Sequence, residues 1–160
     1  MMKRKNNRVP GYDYSTPGVY FVTFCTADRK HILWEQETQG IQMPEDVPLS
    51  AAGKIVKEQI ERIPQVYPGT ILHRYVVMPN HVHILLGISS DRENISLSAI
   101  IMQTKRTISK STGSIWQKSY YDHIIRVPQD FQTKYNYIES NPGKWTEDAY
   151  YGINDQQKER

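Results

Sequence analysis

The run Tyr75-Val-Val-Met-Pro-Asn-His-Val-His-Ile-Leu-Leu-Gly-Ile88 constrains this chain more than any other stretch. It is the most apolar segment of a rather polar sequence, and its later half is a strand rich in Val, Ile and Leu. Side chains at i and i+2 of an extended strand leave the same face, so His81 and His83 point one way. Two neutral imidazoles in that relation form a two-pronged ligand for a divalent metal. A histidine on an apolar strand can equally be a hydrogen-bonded core residue, and at this point both readings stand.

The segments around this run supply the other elements of one domain. Residues 18–26 (Gly-Val-Tyr-Phe-Val-Thr-Phe-Cys-Thr) are β-branched and aromatic and predict a strand. Residues 50–66 predict a helix capped by Ser50, with Ala52, Ile55, Val56, Ile60 and Ile63 on one face and Pro64 trimming the last turn. Pro68-Gly69 breaks the chain before strands at 70–77 and 81–88. Ser96 caps a second helix, whose Leu97, Ile100, Ile101, Thr104 and Ile108 line one face. Residues 116–126 predict a fourth strand or extended segment. A last helix over about 130–141 is stopped by Pro142-Gly143. The order predicts an α+β sandwich, ferredoxin-like (RRM-like), with a mostly antiparallel central sheet and its helices on one face.

The boundaries expected are a basic flexible arm at 1–17, a single catalytic-type domain at 18–150 and a polar tail at 151–160. The 160 residues suffice for one core. A net charge of +3 permits an anionic partner without requiring one, so the distribution of charge has to decide. The one cysteine, Cys25, excludes a disulfide framework and a thiolate zinc cage, and its neighbours predict a buried strand thiol. No apolar run reaches the roughly 18 residues of a membrane helix. The start Met1-Met-Lys-Arg-Lys-Asn-Asn-Arg8 does not lead into the apolar stretch of a signal peptide, so a cytoplasmic protein is expected.

Tyr137 and Asn141 lie four apart on the last helix and therefore share a face. If that helix packs over the histidine strand, a phenol and an amide oxygen approach the imidazoles together. Two histidines and an Asn oxygen make an open N/O shell that suits Mg²⁺ or Mn²⁺ better than a closed structural zinc site. Taken singly, Tyr137 reads as a core or rim aromatic and Asn141 as a helix C-terminal residue.

The combination resembles a known family. Residues 75–86 are similar to the histidine–hydrophobic–histidine strand of single-tyrosine HUH transposases. Ile115-Trp-Gln-Lys-Ser-Tyr-Tyr-Asp-His-Ile-Ile-Arg126 and Tyr137-Ile-Glu-Ser-Asn-Pro142 resemble the later blocks of the REP-associated tyrosine transposases, and residues 12–24 resemble their opening. The resemblance spans about residues 12–146. It implies a metal-dependent endonuclease and strand transferase that cleaves single-stranded DNA beside a hairpin through a covalent 5′-phosphotyrosine. Carried over by position, it makes Tyr137 the nucleophile, His81 and His83 metal ligands, and Asn141 the third ligand. Related insertion-sequence enzymes carry Gln at that last place, and Gly143 replaces a commonly aliphatic residue. Family members differ in whether they act as homodimers with the tyrosine helix exchanged.

Expected phosphate contacts are Lys105, Arg106, Lys110, Lys118, Arg126 and the arm, with Trp116, Tyr120 and Tyr121 stacking on bases. A solvated basic helix face and core aromatics are the plainer reading of the same residues. The alternative function is a domesticated, non-catalytic nucleic-acid-binding module on the same fold.

Overall fold

A computed structural model describes residues 18–35, 48–89 and 95–141. The expected basic arm at 1–17, the tail at 151–160 and the Pro142-Gly143 stop lie outside the described residues. Four strands, β1 (Gly18–Cys25), β2 (Thr70–Val77), β3 (His81–Ile88) and β4 (Tyr121–Ile125), form one sheet in the order β2-β3-β1-β4, every pairing antiparallel. With α1 (Ala51–Glu61), the short α2 (Ile63–Val66), α3 (Leu97–Thr112) and α4 (Pro128–Ser140), this is the ferredoxin-like βαββαβ plan followed by one more helix.

The local signals act as read. Ser50 accepts from the Gly53 amide at 3.0 Å and Ser96 from the Ala99 amide at 3.1 Å, each satisfying an otherwise orphaned helix N–H. Pro64 sits in the first turn of α2, where its missing N–H costs nothing. The fourth strand is shorter than the 116–126 segment. Trp116 makes only an isolated bridge to Thr26, and regular pairing starts at Tyr121.

The expected single helical face is corrected. Tyr20, Val22 and Phe24 of β1 and Val82, Ile84, Leu86 and Ile88 of β3 pack into the main core with residues of α1 and α3. The alternate residues of the same strands face the other way, where Leu85, Val76 and Met78 pack with Ile138, Phe131 and Tyr135, the last three from α4. The sheet is therefore covered on both sides, and all eight residues of β3 are buried. A central strand with one wet face would alternate apolar and polar residues, and 81–88 does not.

Helix α1 is seated against the preceding loop. A Cβ placed on Gly53 would lie 2.0 Å from the Leu33 carbonyl oxygen, the same oxygen that accepts from the Ser50 amide at 2.9 Å. Helix propensity alone makes Gly→Ala worth about 1 kcal/mol in favour of the folded state. The backbone clash reverses the sign, and Gly53→Ala should lower stability by about 2–3 kcal/mol in urea unfolding.

Candidate functional site

His81 and His83 lie on the α4 side of the sheet. Thr23 of β1 is the register partner of His83, and its hydroxyl lies 2.7 Å from His83 Nδ1. His81 Nδ1 lies 2.8 Å from Asn80 Oδ1, whose own amide nitrogen donates to the Arg29 carbonyl at 3.3 Å. That second bond fixes the Asn80 amide, so His81 Nδ1 carries the proton and its Nε2 keeps a lone pair. Asp28 and Arg29 hold left-handed backbone angles (φ 56° and 53°), a conformation that costs non-glycine residues free energy; here it sets the carbonyl on which Asn80 depends.

The two Nε2 atoms stand 3.1 Å apart. Two nitrogens about 2.1 Å from one ion at angles of 90–110° are separated by about 3.0–3.4 Å, so the pair already has the spacing of ligands to one cation. The Thr23 hydroxyl can serve two arrangements. When it donates to His83 Nδ1, the His83 Nε2–H donates to His81; when it accepts, both Nε2 lone pairs face each other, the arrangement two ligands of one cation would take.

Both rings are fully buried and held neutral. Burial, then the charges of His83, Arg29 and His31, keep His81 well below the ordinary histidine range. Burial, then the Lys134 charge, push His83 down to about 3. A metal ligand needs the neutral imidazole, and the dry sheet face supplies it without competition from protons.

Helix α4 does pack over the histidine strand. The Tyr137 ring stands edge-on to His83 with centroids 5.2 Å apart, and Phe21 stacks on the other part of the cluster, 5.2 Å from His83 and 6.2 Å from Tyr137. Tyr137 is 40% exposed, so its ring bridges the buried pair and solvent. Asn141, at the C-cap of α4, is buried, and its Nδ2 has no hydrogen-bond partner among the described residues. Rotating the amide by half a turn exchanges nitrogen and oxygen, so the unpaired atom can equally be the acceptor. Among the described residues no cluster of three His, Cys, Asp or Glu side chains could hold a metal.

The expected surface contacts divide. Arg106, Lys110, Lys118 and Arg126 are exposed, and Tyr121 is 38% exposed. Tyr121 opposes Thr23 and so lies on the α4 side, whereas Arg106 and Lys110 belong to α3, across the sheet from the histidines. Lys105 is corrected: it is buried, and its amine donates to the carbonyls of Gln117 at 2.8 Å and Ser119 at 3.1 Å while lying 5.7 Å from the Phe24 ring centre. It shapes the turn that presents Lys118. Lys105 is four residues after Ile101 and three before Ile108, a ridge position that could have announced burial. Trp116 is corrected too. Its ring packs edge-on to Phe24 at 4.9 Å inside the main core, so no face is offered to a base. Tyr120 is likewise buried. Cys25 is a buried strand thiol outside any disulfide, as expected. His123 pairs with Asp130 at 2.6 Å.

Thr23, Asn80, Phe21 and Lys134 belong to the site and were not singled out from sequence. Asn80 could have been, as the residue before His81; Thr23 depends on strand register, which no local pattern reveals.

No family model matches the chain. Over 91% of its length, and 74% of the neighbour's, it superposes on the solved structure of a REP-associated tyrosine transposase bound to a REP hairpin, with a TM-score of 0.60 and 19% identity. The chain has the fold of a REP-associated tyrosine transposase. In sequence it is 29% identical to an uncharacterized protein of Haemophilus influenzae over 174 aligned positions, covering 92% of this chain and 93% of that protein. A putative REP-associated tyrosine transposase of the same organism is 24% identical over 82 residues, covering 42% of this chain and 47% of the relative. The transposase resemblance read from the three sequence blocks therefore recurs in both comparisons. Among the described residues no helix is long and apolar enough to cross a membrane.

Two stability measurements follow from this geometry. Lys105→Met strips two buried carbonyls of their donor and should cost about 2–4 kcal/mol in urea unfolding, against less than about 0.5 for Arg106→Ala. The histidines bind fewer protons folded than unfolded, since burial depresses both. Their contribution is complete above the unfolded value near 6.5 and is lost as pH falls from there toward 3. Unfolding free energy should drop by about 2–4 kcal/mol between pH 7 and pH 5, and His81→Gln combined with His83→Gln should flatten that dependence.

Proposed function

We propose that this chain is a metal-dependent, single-tyrosine nuclease and strand transferase that cleaves single-stranded DNA beside a hairpin. The observation that carries the reading is the packing of the Tyr137 ring edge-on to His83 while the His81 and His83 Nε2 atoms converge at 3.1 Å. The hairpin bound by the structural neighbour supports DNA as the partner.

In the proposed reaction Tyr137 Oη attacks the scissile phosphorus and the bond from phosphorus to the 3′-oxygen breaks. A 5′-phosphotyrosine forms and a free 3′-hydroxyl leaves. The phenol gives up one proton and the 3′-oxygen gains one, so the step is proton-neutral. Attack by a 3′-hydroxyl on the phosphotyrosine reverses the chemistry and rejoins DNA, which makes strand transfer rather than hydrolysis the outcome. His81, His83 and an Asn141 side-chain oxygen would hold Mg²⁺ or Mn²⁺, which supplies Lewis-acid polarisation of a phosphate oxygen when bound. Thr23 and Asn80 keep the imidazoles oriented. The T-shaped seat against His83 and Phe21 restricts the Tyr137 ring, so less orientational freedom is lost on attack. Tyr121, opposite Thr23 on β4, with Arg126 just after that strand and Lys118 in the turn before it, would contact DNA at this sheet face. Arg106 and Lys110 would engage DNA that passes round to the α3 layer.

The test mixes purified protein with labelled single-stranded hairpin oligonucleotides from the flanks of its own gene and Mg²⁺ or Mn²⁺, resolved on a denaturing gel. A denaturant-resistant slow band is expected, abolished by EDTA, by Tyr137→Phe and by His81→Ala. Binding without metal that survives Tyr137→Phe, with no adduct on any oligonucleotide, would favour the non-catalytic module.

A further inference from the structure

Lys134 precedes Tyr137 by three residues on α4, so the two side chains share a helix face about 4.5 Å apart along the axis. Its ammonium lies 5.2 Å from the centre of the Phe21 ring. That ring is stacked on His83 and meets the edge of Tyr137, so Phe21 is a shared platform for a cation, an imidazole and a phenol. Each of the three comes from a different constraint. His83 is set by the β1–β3 register, Tyr137 by the helix face, and Lys134 by cation–π seating on the platform. The cation–π seat holds an ammonium beside a neutral histidine pair and a phenol. It creates repulsion toward any cation at the histidines, which an anion placed between them would relieve.

We infer that Lys134 is a phosphate-binding residue of this site, its ammonium contacting a non-bridging oxygen of the phosphodiester that Tyr137 attacks. The inference rests on the function proposed above. As Tyr137 Oη bonds to phosphorus and the 3′-oxygen leaves, negative charge grows on the non-bridging oxygens. A cation already held on the Phe21 platform meets that charge without reorganising. The ammonium neither gives up nor takes a proton in this step. Phe21 has a corresponding positioning role, since it fixes where the ammonium stands.

The experiment has two arms, both with the full chain. In the first, anisotropy measures binding of a labelled single-stranded hairpin oligonucleotide in EDTA, in a Tyr137→Phe background, across a salt series. Lys134→Met should reduce the slope of log affinity against log salt by about 0.7, one phosphate contact on single-stranded DNA, and Lys134→Arg should preserve it. In the second, the active protein with Mn²⁺ is followed by covalent adduct formation. Lys134→Met should slow the adduct about 10²- to 10³-fold, more than its loss of affinity, with Lys134→Arg restoring part of the rate. Melting temperatures of the variants close to that of the parent exclude a folding effect. An adduct rate unchanged in Lys134→Met overturns the assignment even if the salt slope falls, because the contact would then be to an ordinary backbone phosphate. If the parent forms no adduct, the slope still reports: a change that Arg rescues retains Lys134 as a phosphate ligand while the nuclease reading falls, and no change overturns both.

Discussion

Strand β3 is hydrogen-bonded on both edges and covered on both faces, and the rest of the molecule follows from that enclosure. Each polar atom on such a strand must find a partner inside the protein, because water is excluded. The backbone is satisfied by β1 and β2. The two imidazoles are satisfied by Thr23, by Asn80 and by each other. The same dryness that makes an unpaired nitrogen costly makes a protonated ring costlier, so the pair stays neutral. A histidine pair at the surface would have the same spacing along the strand and neither property.

Alternation along the two central strands then divides the labour. On one face Tyr20, Val22 and Phe24 with Val82, Ile84 and Leu86 make the main core against α1 and α3. On the other, Phe21 and Thr23 with His83 and Leu85 make a floor for α4. A register slip of one residue would exchange the two sets and bury the chemistry under α1 and α3, so the β1–β3 pairing specifies core and site together.

Much of this was legible in the sequence, and the exceptions have definite causes. The bounds of β2 and β3 and both serine caps come from local patterns, apolar runs and capping residues, whereas the union of His81, His83 and Tyr137 comes from the family resemblance. Cover on the opposite face, which α4 provides, was also legible, since an uninterrupted apolar run at 81–88 requires it on both sides. Lys105 and Trp116 were read as surface residues because charge and aromaticity are ambiguous alone. Their burial depends on the 115–119 turn crossing β1, a non-local event. Thr23 and Phe21 could not be found at all without the register, because 60 and 62 residues separate them from His83 and nothing in their own neighbourhood marks them.

The two halves of the site are anchored very unequally. The histidines sit in a strand with no exposed residue, whereas Ile138 is the one buried residue among the thirteen of α4. Among the described residues α4 is held by a thin layer of Phe131, Tyr135 and Ile138, by the ring contacts of Tyr137 and the Lys134 seat on Phe21, by Arg74 over the Tyr135 ring and near Glu139, and by the His123–Asp130 pair at its start. The Arg74 pair is largely exposed and contributes little. Helix α3, by contrast, buries six residues. Free energies of local opening scale with such burial, so α4 is the element that separates from the sheet at least cost. The division suits the proposed chemistry: the ligands must be held to fractions of an ångström and kept dry, while the phenol must admit a polymeric substrate between itself and the strand. A nucleophile built into β3 beside the histidines would be positioned as well but could not be reached.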